Sequence, residues 1–176
     1  ELILRSGTEA RRVTQFGVFI RTWDRSQRWG LVVLAPGALP ARPEPGRYLD
    51  AVSGLEAIGK LDAAHAGYRT ASDRWPREAI AWLGLGNTEY ALGQHAAAET
   101  AFRRAIEIRP AEFAAWNNLS YALAGRQCVR LARESARCAA QLAPDSADAG
   151  QSLKEMEALP APAAEACAPL PVCPTR

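Results

Sequence analysis

Between residues 45 and 158 apolar side chains recur at helical spacing in short segments separated by breaks. The middle of this region is the clearest. Trp82, Leu85, Tyr90 and Leu92 mark one helix, and Ala98, Ala101, Phe102, Ala105 and Ile106 fall at i, i+3, i+4, i+7 and i+8 in the next. Gly93 stands at the break between them, where a positive φ is cheap for a residue without Cβ. Pro110 closes the second helix, because its ring cannot continue the hydrogen-bond ladder. Continued along the chain, the pattern predicts helices over about 47–58, 61–74, 79–92, 95–108, 113–124 and 127–142, and a seventh over 146–158.

These helices come in pairs that repeat every 34 residues. Trp82, Leu85, Ala98, Ala105 and Pro110 become Trp116, Leu119, Ala132, Ala139 and Pro144 one step on. One step back the match is fainter: Tyr48, Ala64, Tyr68, Ala71 and Pro76 stand for Trp82, Ala98, Phe102, Ala105 and Pro110. Three windows, 45–78, 79–112 and 113–146, tile the region without a gap, and a fixed period of this length predicts a solenoid. Small residues at Gly86, Ala98 and Ala105 allow close helix approach, and the Trp and Phe stripe reads as core. The last helix lacks the Trp and Gly of the repeats. Asp148, Gln151, Lys154 and Glu155 give it the polar face that a terminal cap needs.

The spacing W-x-x-L-G…A-x-x-x-F-x-x-A…P in residues 79–112 resembles the tetratricopeptide repeat (TPR). That resemblance implies a mainly α fold: a right-handed TPR α-solenoid of three repeats plus a capping helix, with a small N-terminal α/β segment outside it. It also implies a concave groove lined by the first helix of each repeat. By analogy the groove positions are Leu49, Asp50 and Ser53 in the first copy, Leu83, Gly84, Asn87 and Tyr90 in the second, and Asn117, Asn118 and Tyr121 in the third. Asn87 and Asn118 stand where groove asparagines of peptide-binding TPRs bond a ligand backbone. An amide offers both donor and acceptor, which suits an extended peptide. Tyr90 and Tyr121 add contact area with a polar tip. The partner-binding candidates are therefore Leu83, Asn87, Tyr90, Asn117, Asn118 and Tyr121. The best-known groove of this kind grips a C-terminal carboxylate with Lys and Arg beside Asn. Here the corresponding positions are Leu83, Ala91, Asp148 and Ser152, which argues against an acidic C-terminal tail as ligand.

Residues 1–34 do not follow the repeat. Glu1–Arg5 and Glu9–Val13 read as strands about a Ser6-Gly7 turn. Thr14 reads as the N-cap of a short helix through Phe16, Phe19, Ile20 and Trp23, and Gly30–Leu34 as a closing strand. This order is similar to the end of the bacterial papain-like cysteine peptidases that trim double-glycine leaders. In that family an Asp orients the catalytic His, and the matching residue here is Ser6, followed by Gly7 where Pro is usual. The family's Cys and His would lie upstream, and a chain that begins at Glu1 without Met reads as a fragment of a longer protein. The resemblance implies a bacterial source, with cytoplasm and periplasm both open. It also gives the alternative function, the C-terminal portion of a cysteine peptidase whose repeats position substrate.

Residues 35–46 carry four prolines and read as a semi-rigid linker. Residues 159–176 are rich in proline and small side chains and read as a disordered tail. Of the four cysteines, Cys128 and Cys138 share one predicted helix about 15 Å apart along its axis, too far to pair with each other. Cys167 and Cys173 can pair locally, or with either helix cysteine if the tail folds back. An even count permits an oxidising compartment.

A formal net charge of +2 gives no call for nucleic acid, and no run of 18 apolar residues offers a transmembrane segment. The two histidines, His65 and His95, lie within the repeats. His95 and Cys128 fall at the same end of adjacent repeats. A dyad there needs hydrogen-bond reach and a third orienting group, and a metal needs three or four ligands. No catalytic residue, metal site or cofactor is therefore assigned. The reading is a protein–protein interaction module that is non-catalytic on its own and takes a protein or peptide ligand, packed also against a missing upstream domain.

Overall fold

The computed structural model describes residues 34–160 and 167–174, together with the backbone of two strands in residues 2–6 and 9–14. It divides into two units, residues 1–33 and 34–176, each taken by itself. In the first, β1 (Leu2–Ser6) pairs antiparallel with β2 (Glu9–Thr14), Leu2 opposite Thr14 and Leu4 opposite Arg12, with a register shift before Ser6 meets Glu9. Thr14, expected as a helix N-cap, is the last residue of β2. The helix expected through Trp23 and the strand expected at Gly30–Leu34 fall on residues outside those described, except Leu34, which is in neither helix nor strand.

The second unit consists of α1 (Pro45–Ala57), α2 (Leu61–Arg74), α3 (Ala79–Ala91), α4 (His95–Ile108), α5 (Phe113–Gly125), α6 (Val129–Leu142) and α7 (Ala147–Ala158). Each helix packs on the next, and the first helices of successive pairs also touch: α1 with α3, α3 with α5, α5 with α7. The second helices approach one another less closely. A stack curves toward its closer-packed side, so α1, α3, α5 and α7 line the inner face.

Residues 34 apart repeat their contacts as well as their identities. Trp82 Nε1 donates to Pro76 O at 3.0 Å, and Trp116 Nε1 donates to Pro110 O at 2.7 Å, each indole locking onto the proline that ends the preceding helix pair. Phe102 and Trp116 are buried in one core cluster with Leu119, Leu123 and Leu131, and Tyr68 is buried in a second with Leu49, Val52 and Leu85. Ala98 and Ala105 are fully buried, as close approach requires. A Cβ at Gly86 would stand 2.5 Å from the Phe102 ring, so the absent side chain makes room for the aromatic one.

Each inner helix of a repeat ends in the same turn. Gly59, Gly93 and Gln127 have φ of +73°, +74° and +63°, and the residue after each donates to the carbonyl five back, as Gln94 N does to Glu89 O at 2.8 Å. Glycine pays no steric penalty there; Gln127 does. The cap helix α7 begins at Ser146, whose Oγ accepts from Ala149 N at 3.3 Å. At its other end Arg133 of α6 donates to Met156 O at 3.1 Å, which also accepts from Leu159 N, and to Leu159 O just past the helix.

Two expectations from composition need correcting. The stretch read as a linker over 35–46 lies along α2, where Thr70 Oγ1 donates to Gly37 O at 2.8 Å, and its last residues belong to α1, with Pro45 in the first turn. Proline is suited to that position because its missing N–H has no helical partner to lose. The tail read as disordered is, over residues 167–174, a strap bound to α6 by disulfides Cys128–Cys167 and Cys138–Cys173, with Cα separations of 6.1 and 5.8 Å. Arg103 of α4 donates to Ala168 O at 2.9 Å and Pro169 O at 2.7 Å, while its Nε donates to buried Glu99 at 2.8 Å. Leu170 and both strap cysteines pack against the larger core cluster. Low hydrophobicity argued for disorder, but cross-links remove much of the entropy that an ordered tail must overcome.

Candidate functional site

The inner face between α3 and α5 holds a cavity of about 200 Å³ lined by Asn87, Tyr90, Phe102, Asn118 and Tyr121. On each helix an amide and a phenol sit three residues apart, so both point from one face. Four of the six residues selected from sequence thus meet around one opening. Phe102 forms part of the lining from the outer helix α4; its helical periodicity marked it as core, and nothing in that pattern showed that one ring edge reaches the groove.

The amides form a ladder. Asn117 Nδ2 donates to Asn118 Oδ1 at 3.3 Å, and Asn118 Nδ2 donates to Asn87 Oδ1 at 2.8 Å. Two ends are left, the Asn87 amide hydrogens as donors and Asn117 Oδ1 as acceptor. The latter is buried without a partner. A buried acceptor left unpaired is costly, and a ligand N–H would relieve it. Asn117 itself does not line the cavity; it acts through the ladder. Leu83 is half-buried against the core cluster, and Leu49 and Gly84 are buried outright. A Cβ on Gly84 would run into the Tyr68 ring, which fills that groove position from α2. Asp50 and Ser53 are exposed.

The two tyrosines meet edge to face, with ring centroids 6.4 Å apart, and Tyr90 also rests on His95 at 5.2 Å. Tyr121 OH donates to Glu155 Oε2 at 2.7 Å and lies 2.9 Å from Ser152 Oγ. Burial raises the Tyr121 phenol, so it keeps its proton as a donor. The hydrogen bonds from Tyr121 and then Gln151 hold the Glu155 carboxyl below its ordinary value. Behind the groove Glu89 of α3 is raised by burial, with His65 Nε2 3.8 Å from one oxygen opposing the shift; the other oxygen is buried and unpartnered.

Nothing in this arrangement offers nucleophilic chemistry. Cys128 and Cys167 form one disulfide and Cys138 and Cys173 the other, so no free thiol stands near His95, whose ring packs against Gly125. Among the described residues no group of three metal-ligating side chains comes together, and no helix is long and apolar enough to cross a membrane.

Residues 49–113 match the family model described as tetratricopeptide repeat. Among solved structures, the first TPR domain of Spaghetti (RPAP3) bound to the HSP90 peptide SRMEEVD superposes with a TM-score of 0.61 at 18% identity, over 64% of this chain and 90% of that one. The Arabidopsis OM64 TPR domain gives 0.61 at 16% identity, over 64% and 93%. The second TPR domain of human RPAP3, in complex with the HSP70 peptide SGPTIEEVD, gives 0.60 at 16% identity, over 65% and 98%. No curated protein sequence matches the chain. At such identities the likeness establishes the fold, a mainly α TPR solenoid.

Proposed function

We propose that this tetratricopeptide-repeat solenoid is an interaction module whose inner groove binds an extended peptide or a segment of a partner protein, without catalysis of its own. The observation that carries the reading is the amide ladder Asn117–Asn118–Asn87, whose last two members line a cavity walled by two tyrosines and whose first leaves a buried acceptor without a partner. A peptide backbone supplies a donor and an acceptor at each residue, and tyrosine rings supply contact area at low entropic cost. Two solved neighbours hold peptides, which supports the same use of the fold here. The two disulfides favour an oxidising compartment for the chain.

The test is capture by the wild-type chain beside an Asn87→Ala/Asn118→Ala variant, with circular dichroism showing that both are folded. A peptide or protein retained by the first should be lost by the second. Equal retention by both would overturn the groove reading and direct attention to the outer face.

A further inference from the structure

The groove also carries a sign. The positions that match Asn117, Asn118, Tyr121 and Tyr90 by steps of 34 residues on α1, α3, α5 and α7 include Asp50, Glu56 and Glu155, and not one Lys, Arg or His. The chain as a whole has 21 Lys and Arg against 19 Asp and Glu, so the bias is local. Several arginines outside these positions are engaged elsewhere: Arg103 of α4 and Arg126 at the end of α5 with Glu99, Arg133 with the end of α7, Arg137 with Glu157. Lys154 neighbours Glu155 in sequence but leaves α7 about 100° away, off the groove face.

A carboxylate bonded to one of the cavity's walls is held in place. Glu155 Oε2 accepts from Tyr121 OH at 2.7 Å and Oε1 accepts from Gln151 Nε2 at 2.9 Å, yet the group is exposed to solvent and free to meet a cation. The Tyr121 ring that walls the cavity thus ends at a fixed negative charge. An aliphatic stem lying against Tyr90 and Tyr121 would bring a terminal ammonium or guanidinium toward that charge, and the ring faces themselves attract cations.

We infer that the groove selects a basic occupant: an extended peptide segment that lays a Lys or Arg side chain against Tyr90 and Tyr121 with its charge at Glu155. The inference rests on the groove reading above and adds the ligand's chemistry to it. The peptides SRMEEVD and SGPTIEEVD held by the solved neighbours end in acidic runs, so this groove would take the opposite sign.

The test is a phage-displayed library of random peptides selected on the wild-type chain and, in parallel, on the Asn87→Ala/Asn118→Ala variant. Peptides enriched only on the wild type should be rich in Lys and Arg and poor in Asp and Glu. In fluorescence anisotropy the strongest of them should bind a Glu155→Gln variant roughly threefold more weakly, with the gap closing as salt is raised. Gln keeps an acceptor for Tyr121, so a fold defect is not the cause. Enriched peptides that are neutral or acidic would overturn the charge inference and leave the groove intact. No enrichment over the double variant would overturn both.

Discussion

The solenoid has two faces that could each receive an extended chain, and it treats them in opposite ways. On the outer face residues 167–174 already lie along α6, tied by two disulfides and by the Arg103 fork on consecutive carbonyls. On the inner face the amide ladder stops at a buried oxygen with nothing to accept from, and the cavity between the tyrosines is open. Both use the same chemistry, planar polar groups for backbone and apolar walls for side chains. The difference teaches that one fold can satisfy the polar groups of a contact along its outer helices and leave a buried acceptor unsatisfied along its inner ones.

The comparison breaks most readily at the strap. Replacing Cys167 and Cys173 by Ser should cost roughly 2–4 kcal/mol for each lost disulfide, and lower the thermal midpoint by roughly 10–30 °C, because loops of 39 and 35 residues are no longer closed. Peptide binding on the inner face should be unchanged. An unaltered melting curve would show that the strap is an ornament of the outer face rather than part of its stability.

A smaller effect lies at the strap's first anchor. Gln127 precedes Cys128 and holds a φ of +63° where the two earlier repeats have glycine. Gln127→Gly should stabilise the chain by about 0.5–1 kcal/mol, read from denaturant midpoints. Destabilisation instead would mean that the Gln side chain compensates for its backbone.

The smallest expected effect sharpens the inner side. The Glu89 carboxyl has a folded pKa above the ordinary 4.5, so near and above pH 4.5 the folded chain keeps a proton that the unfolded chain has released. Its contribution to stability is present below that window and is lost as pH rises through the folded value. Glu89→Gln should therefore raise stability at neutral pH by up to about 1 kcal/mol and flatten that part of the pH profile. A loss of stability at pH 7 would show that the His65 contact outweighs burial.

Much of this was readable beforehand. The helices begin and end within about two residues of where periodicity puts them, because Trp, Phe and Ala contacts in a repeat are local and recur at 34 residues. The groove residues transfer by the same shift. Two features escaped for physical reasons. Gly84 was selected by position, but a neighbouring helix's Tyr68 covers it, and only packing shows that. The strap was unreadable because proline content reports what a free tail does, while cross-links to Cys128 and Cys138 decide what this one does. Cysteine spacing left the pairing open between local and long-range partners.

The strap also changes how the chain would bear tension. A solenoid pulled from its C-terminal end would ordinarily peel, the last helix first. Here a force applied beyond Cys173 crosses to Cys138 and, through Cys167, to Cys128. The load therefore enters α6 by two covalent routes, while the last turn of α6 and the whole of α7 lie outside them. The C-terminal end of the stack is thereby shielded from mechanical unzipping.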